Sequence, residues 1–382
     1  MEEHLGTRQI LSYSLLPCVL FLLSTKFLLH KRKKRNLPPS PFALPIIGHL
    51  HLLKLPIHQT LDSLSKKYGP ILSLQLGSYL AVVVSSPSIV EECFTTNDIV
   101  LANRPRFLGG RHLLNYNNSD MGSADYGDHW RNLRRISVLE ILSTSRLTSL
   151  FSIRRDEVNI LTRRLYSVSS HGYAKVELRS MFFDLTSNVI MKMVAGKRYY
   201  GEDVKDTVEA RMFREILKEF IEYISMIQVG DMIPILQWVD FTQDFKKLYR
   251  LNNRMDMFLQ GLINEHRHDR ERNTMINTFL TLQEQQPEYY TDEIIKGHIL
   301  VMMIGGTETV ATAMEWARAC PGDGLGNRMM TLTLGSLIQF FEWERVGDDK
   351  IDMTEKTGIS MCKVDPLELL CKARPSLNVL LS

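Results

Sequence analysis

The chain has 382 residues, of which 44% are hydrophobic and 23% are charged, so it is long enough to bury one large core or two ordinary ones. Its net charge of +3 argues against a nucleic-acid partner, because much of the positive excess lies in a single run at residues 31–35. The five cysteines are scattered, without a CxxC pair or zinc-type spacing, which excludes a disulfide scaffold and indicates a reducing compartment.

The N-terminal stretch contains an apolar run at residues 10–29, about the length of one membrane-spanning helix. Acidic residues precede it and five basic residues follow it, so the positive-inside rule leaves the chain after Lys31 in the cytosol. A cleaved signal peptide is the alternative, but it needs a short apolar core and a small-residue cleavage site. We predict a single transmembrane anchor at 1–30, then a basic stop and a stiff proline-rich hinge at 31–50.

The clear β signal follows this hinge. Residues 71–76 alternate apolar and polar side chains, a Gly-Ser pair follows at 77–78, and residues 80–84 are rich in valine. This pattern predicts a β-hairpin. Next, a Ser-x-x-Glu capping box at residues 88–91 predicts the start of a short helix that runs through Phe94.

A tryptophan and an arginine mark the next informative segment. Trp130 and Arg134 are four residues apart, so they share one face if the segment is helical. From that face an indole N–H and a guanidinium could both reach one anionic group. The alternative is an amphipathic surface helix whose Trp packs and whose Arg is solvated.

The following stretch, 151–272, is helical in character, with one helix ending at a glycine turn near Gly196.

The longest helical pattern runs over residues 293–317 without a proline, which predicts an uninterrupted rod of about 38 Å capped by Asp292. The glycine pair at 305–306 costs about 1 kcal/mol per glycine relative to alanine, so packing or function must require it. A closely packed helix and a flat cofactor both explain such a pair. Glu308 and Thr309 follow as an adjacent acid and alcohol, a pairing suited to proton transfer.

Cys320 precedes a second predicted helix at residues 325–341. A thiol that faces a helix N-terminus has a lowered pKa, and Pro321 is suited to open such a helix. A buried, inert cysteine is the alternative. The predicted apolar face of this helix consists of Leu325, Met329, Leu332, Leu337, Ile338 and Phe341.

The order of these motifs resembles the cytochrome P450 family. The resemblance rests on the anchor and proline hinge, Trp-x-x-x-Arg at 130–134, Gly-Gly-Thr-Glu-Thr at 305–309 and Arg-x-Cys-x-Gly at 318–322. The phrases at 126–143 and 193–203 resemble plant P450s, in particular the group that includes isoflavone 2′-hydroxylases. The fold implied is the P450 fold, mainly α with small β, although incomplete in this chain.

The resemblance also implies a haem b cofactor and roles for six residues. Cys320 would be the axial ligand of the iron, while Trp130, Arg134 and Arg318 would help to bind the haem. As the catalytic residues, Thr309 would hydrogen-bond dioxygen and Glu308 would belong to the proton relay.

The implied setting is the endoplasmic reticulum membrane, with a single pass through the lipid and the catalytic part in the cytosol. Electrons would come from NADPH through NADPH–cytochrome P450 reductase. The implied reaction is hydroxylation of a small plant phenolic, such as an isoflavonoid or flavonoid, by a haem-thiolate monooxygenase. No nucleic-acid partner is expected.

One departure from the family pattern is large. P450s carry a block of chain with a Glu-x-x-Arg helix and a Pro-Glu-Arg-Phe-like meander between the two haem motifs, whereas Cys320 follows Thr309 by only eleven positions here. Two Glu-x-x-Arg matches, at 315–318 and 342–345, are attributed to chance, because one straddles the junction and the other follows the cysteine.

We therefore predict an internal deletion between Ala317 and Arg318. It divides the P450 part of the chain into an N-terminal portion at 51–317 and a portion at 318–382 with the cysteine loop, a helix and the C-terminal strands. The deletion leaves a second hypothesis open. In it the chain is a non-catalytic, membrane-anchored remnant, a splice or gene-model product that cannot hold haem.

Overall fold

The computed structural model of the protein describes residues 36–105, 116, 119–202, 204–224, 229–233, 236, 244–316, 325–348, 350–356 and 360–377. The predicted anchor at 1–30, Arg318 and Cys320 lie outside these residues. The chain divides into two compact units. The smaller contains the described residues up to Leu101 together with those between 229 and 236, and the larger contains the rest.

The smaller unit is built on a β-hairpin. Its elements are a 3₁₀ turn at Leu50–Leu52, α1 (Ile57–Tyr68), β1 (Ile71–Leu76), β2 (Tyr79–Val84), α2 (Pro87–Phe94) and one-turn helices at Asp98–Leu101 and Val229–Met232. The strands pair antiparallel from Ile71 opposite Val84 to Leu76 opposite Tyr79, which confirms the predicted hairpin. Gly77 has φ +59°, and a methyl group there would lie 2.1 Å from the carbonyl oxygen of Met232, so the turn requires glycine.

The start of α2 differs from the prediction. The helix begins at Pro87 with Ser86 as its N-cap, and neither Ser88 nor Glu91 forms the predicted capping box. The hydroxyl of Ser86 lies 3.0 Å from that of Ser88. Proline explains the shift, because its fixed φ suits the first helical position and its missing N–H costs nothing there.

The larger unit is mainly helical with one small sheet. Its elements are α3 (Asp128–Ile136), a π-helical turn (Ser137–Ile141), α4 (Thr144–Ser149), α5 (Phe151–Ser169), β3 (Ala174–Glu177), α6 (Leu178–Ala195), α7 (Val208–Ile224), α8 (Asp244–His268), α9 (Met275–Gln285), α10 (Asp292–Gly306), α11 (Glu308–Trp316), α12 (Leu325–Phe340), β4 (Phe341–Arg345) and β5 (Glu368–Ala373). Both units together confirm the predicted fold class, mainly α with small β.

Helix α6 is the centre of the core, with α5, α9, α10 and α11 packed around it. It is apolar on nearly all sides, as a helix buried all round must be. Three consecutive polar residues, Thr186, Ser187 and Asn188, are nevertheless buried in its middle. The helix ends at Gly196, which has φ +69°, so the predicted glycine turn is confirmed.

The sheet of the larger unit has the antiparallel order β3-β5-β4. Strand β3 was not predicted, because it has four residues and forms only through pairing with β5, as in Ala174 opposite Cys371. Helix α12 confirms its predicted span but not the whole predicted face. Ile338 is 69% exposed, and Phe341 is buried as the first residue of β4.

The long apolar helix near the candidate motifs is broken, not the uninterrupted rod that the pattern predicted. Helix α10 ends at Gly306 and α11 begins at Glu308. The predicted cap is also wrong. Thr291 is the N-cap without a side-chain cap bond, whereas the carboxylate of Asp292 accepts from Gln260, 2.8 Å away.

The segment Asp292–Met314 is long and apolar enough to cross a membrane by its length and composition. Within the protein, however, 61% of its most apolar stretch is buried. We interpret it as a core helix, because its buried side chains belong to the same cluster as those of α6.

A buried carboxylate ties α5 to the end of α6. Glu157 has a 2% exposed side chain, and one of its oxygens lies 2.8 Å from Nζ of Lys192 and 2.7 Å from Nε of Arg198. The other oxygen accepts from the amide of Asn188 at 3.3 Å. Removing one member of such a buried cluster leaves the opposite charges without compensation.

We expect Glu157→Gln to lower the free energy of unfolding by about 3 kcal/mol. Chemical denaturation followed by circular dichroism measures it. The matched control is Glu219→Gln, because Glu219 pairs with Arg254 at the surface at 2.7 Å and its loss should cost less than about 1 kcal/mol. Equal losses in the two variants would show that the buried cluster does not hold α5 to α6.

Candidate active site

The break between α10 and α11 packs against the middle of α6. Thr307 has φ −101° and ψ −78°, away from helical values. Its carbonyl oxygen accepts from the backbone N–H of Ala311 at 3.1 Å and lies 3.1 Å from the hydroxyl of Thr186. The single proton of that hydroxyl is shared with the carbonyl oxygens of Phe182 at 2.9 Å and Phe183 at 3.1 Å. Thr186 and Thr307 are both buried, so the break is satisfied inside the core and not by solvent.

The two glycines beside the break serve different purposes. A methyl group on Gly306 would lie 2.4 Å from Cδ1 of Ile190, so this glycine lets α10 approach α6 closely. A methyl group on Gly305 would meet nothing within 4 Å, and Gly305 is exposed. Close helix packing therefore explains the glycine at 306, whereas the glycine at 305 leaves open space beside the helix.

Thr309 lies on the same open side as Gly305. Its side chain is exposed, and its hydroxyl donates to the carbonyl oxygen of Gly305 at 2.5 Å. The donor is thus occupied, while the oxygen lone pairs of Thr309 remain able to accept a hydrogen bond from a bound molecule. Thr309 and Gly305 together form one polar edge of this space.

Glu308 points to a less exposed environment and has a perturbed pKa. Burial raises the pKa of Glu308 above its usual range, and the positive charges of Arg179 and Lys356 oppose that rise. Arg179 stands at the start of α6 and donates to the carbonyl oxygen of Lys363 at 3.0 Å. A carboxyl group whose pKa moves toward neutrality can both donate and recover a proton.

The predicted Trp130 and Arg134 share one face of α3, as their spacing required. The guanidinium of Arg134 lies over the Trp130 ring, 5.4 Å from its centroid. Neighbouring Arg131 pairs with Asp128, and Arg135 donates to Asn132 at 2.7 Å. Within the described residues Arg134 has no such acceptor, and it is exposed.

The indole N–H of Trp130 is already used. It donates to the carbonyl oxygen of Met121 at 3.1 Å. Trp130 therefore anchors the segment before α3, and of the predicted pair Arg134 is the one that presents its charge for an anionic group.

A short loop places α3 against the helix that carries the glycines. A methyl group on Gly122 would lie 3.7 Å from Cγ2 of Val301, one turn before Gly305, and one on Gly297 would lie 3.0 Å from Cβ of Asp120. The carboxylate of Asp120 accepts from the N–H of Gly122 at 2.7 Å and holds the loop in shape. Burial raises the pKa of Asp120 above its usual range.

The described part of the candidate site thus contains four of the predicted residues, Trp130, Arg134, Glu308 and Thr309. The loop around Asp120 connects the two sets, because it precedes α3, which carries Trp130 and Arg134, and contacts α10, the helix before Glu308 and Thr309. Arg318 and Cys320 lie outside the described residues. The sequence reasoning missed Thr186, Arg179 and Lys356. Of these only Thr186 carried a signal, because it begins three polar residues within an apolar helix.

Comparison with known proteins identifies the class. The family model described as Cytochrome P450 matches residues 38–317. The chain belongs to the cytochrome P450 family.

Its relatives within that family are plant proteins. Cytochrome P450 81Q32 of Catharanthus roseus is 38% identical over 493 residues, covering 97% of this chain and 98% of the relative. Cytochrome P450 81E8 of Medicago truncatula is 40% identical, covering 96% and 98% respectively. Isoflavone 2′-hydroxylase of Glycyrrhiza echinata is 37% identical, covering 97% and 98%. The predicted resemblance to plant P450s and to isoflavone 2′-hydroxylases is confirmed.

The described residues suit one face of a haem. No atom lies within 4 Å of a methyl group placed on Gly305, which suits the close approach of a flat group, and Arg134 offers a cation for a carboxylate. Trp130 suits it less well, because its N–H donates to Met121. The cysteine side of such a site belongs to residues outside the described part.

We expect the pH dependence of stability to report Glu308 directly. A carboxyl whose folded pKa is raised stabilises the folded state while protonated, and it loses that contribution as the pH rises from the ordinary glutamate pKa through the raised value. Glu308→Gln should remove this fall in unfolding free energy, measured by denaturant titrations across that pH window.

The matched control is Glu293→Gln, an exposed acid on the first turn of α10. If wild type and Glu308→Gln lose stability with the same pH slope, the Glu308 carboxyl is not held protonated in the folded chain.

Proposed function

We propose that the protein is a haem-thiolate monooxygenase that hydroxylates a small plant phenolic such as an isoflavonoid or flavonoid. The observation that carries the proposal is the helix break at Thr307, which puts the hydroxyl of Thr309 beside open space and the half-buried carboxyl of Glu308 next to it. The similarity to isoflavone 2′-hydroxylase of Glycyrrhiza echinata supports the substrate class.

The roles of Arg134, Glu308 and Thr309 are proposed from their surroundings, and those of Arg318 and Cys320 from the family. Cys320 would ligate the iron, and Arg134 would pair with a haem carboxylate because its charge has no acidic partner among the described residues. Arg318 and Trp130 complete the proposed haem contacts. The haem, when bound, supplies the activation of dioxygen. Thr309 would accept a hydrogen bond at the open face through its free lone pairs, and Glu308 would hold a proton beside it on a half-buried carboxyl.

The setting of this reaction is also a proposal. NADPH–cytochrome P450 reductase would supply electrons from NADPH, and the anchor at 1–30 with the hinge at 31–50 would hold the protein on the endoplasmic reticulum membrane, its catalytic part in the cytosol. The apolar run and the basic residues after it support the orientation. The catalytic portions remain 51–317 and 318–382.

A second candidate is a non-catalytic remnant that cannot hold haem. Its support is the length of the alignment to Cytochrome P450 81Q32. That alignment spans 493 residues against the 382 of this chain, so at least 111 aligned positions have no residue here. The family match ends at residue 317, the predicted edge of the deletion, which supports placing the missing block there.

Exposed apolar side chains support the same candidate. In the smaller unit Phe94 is 77% exposed, Val100 80% and Val82 52%. Val82 lies on β2, which pairs only with β1 among the described strands and so leaves an open sheet edge. Apolar groups of this size at an edge strand normally require a covering segment.

A reduced-CO difference spectrum of the purified full chain separates the two candidates. The monooxygenase proposal predicts a thiolate-haem band that Cys320→Ala abolishes, because the thiolate is the ligand that produces it. Arg134→Gln should retain less haem, with Arg135→Gln as its matched control on the same helix. Folded wild-type protein without the band would establish the remnant instead.

A further inference from the structure

A second cavity lies away from the candidate active site, between the first turn of α5 and the first half of α12. It has a volume of about 420 Å³. Its lining residues are Phe151, Arg154, Asn327, Arg328, Thr331 and Leu332. None of these has a role in the proposed oxygen chemistry.

Arg154 is the unusual member of this lining. It is 2% exposed, and its Nη2 donates to the carbonyl oxygen of Leu147 at 2.5 Å. Its other terminal nitrogen, Nη1, is buried without a hydrogen-bond partner. A buried charged donor without an acceptor is costly, so an anion in the adjoining cavity that came within reach of this nitrogen would relieve that cost.

Arg328 brings a second positive charge to the same cavity. Its Nη1 makes one long hydrogen bond, 3.3 Å, to the hydroxyl of Thr148. Burial, followed by the charge of Arg328, lowers the pKa of Arg154, so the two guanidinium groups repel each other across a short distance. No carboxylate is among the described residues that line the cavity.

The start of α5 adds a third favourable feature. The helix has 19 residues, its N-cap Leu150 makes no side-chain cap bond, and its first turn contains no acidic residue. Because no side chain caps this helix start, the positive end of the helix dipole favours an anion near Arg154, which lies in the first turn.

We propose that this cavity binds a molecule with an oxyanion, a carboxylate or phosphate, attached to an apolar body. The guanidinium fork of Arg154 and the charge of Arg328 match an oxyanion, and Asn327 and Thr331 offer further polar groups beside it. Phe151 and Leu332 form the apolar wall. The proposal does not depend on haem, and a failure of the oxygen chemistry leaves it standing.

The test is isothermal titration of phenyl phosphate into the purified full chain at constant ionic strength, with inorganic phosphate and phenol as further probes. Phenyl phosphate should bind more tightly than either, since phenol lacks the charge and phosphate lacks the apolar body. Arg328→Gln should weaken its binding at least about tenfold, the effect of losing one charge-assisted hydrogen bond.

Two variants complete the experiment. Arg163→Gln, an exposed arginine on the same helix, is the matched control and should leave binding unchanged. Thr331→Val should weaken binding severalfold without removing a charge, which keeps the test decisive if Arg328→Gln fails to fold. The proposal is overturned if phenyl phosphate does not bind, if phosphate or phenol binds as tightly, or if Arg163→Gln matches the loss in Arg328→Gln.

Discussion

The packing of the break between α10 and α11 on the middle of α6 is the constraint on which the candidate site depends. There the carbonyl oxygen of Thr307 lies 3.1 Å from the hydroxyl of Thr186, and a methyl group at position 306 would lie 2.4 Å from Cδ1 of Ile190. The hydroxyl of Thr309 then faces open space, while Glu308 turns toward the positive charges of Arg179 and Lys356. The positions of the Thr309 hydroxyl and the Glu308 carboxyl thus depend on packing against a helix about 120 residues earlier in the chain.

Much of this architecture could be predicted from the sequence, because local patterns determine it. Alternation predicted the hairpin, a glycine-rich turn predicted the end of α6, and the spacing of Trp130 and Arg134 predicted their shared face. Other features arise from tertiary contacts and escaped prediction. The break at Thr307 packs on α6 beside Thr186, and β3 exists only through its pairing with β5. The acceptor of the Trp130 indole N–H could not be predicted from the sequence, because it is a backbone carbonyl oxygen.

The two halves of the haem environment differ in what this chain provides. Residues up to 316 supply a packed core, a broken helix with an open face and an arginine suited to an anion. The length of the relatives' alignments and the end of the family match at residue 317 support a missing block on the cysteine side. The chain therefore belongs to the family whether or not it can form the cysteine side of the haem site. The exposed side chains of Phe94 and Val100 are consistent with a surface that the missing block would cover.

We infer that α6, α10 and α11 of this chain fold together as one cooperative unit without any partner. Amide hydrogen exchange of the purified full chain, followed by mass spectrometry, tests it most directly. The account predicts that peptides from Leu178–Ala195 and Asp292–Gly306 exchange slowest and at a common rate, and that Thr186→Val accelerates both together. Exchange of these peptides within seconds, or acceleration of α10 alone, would contradict it.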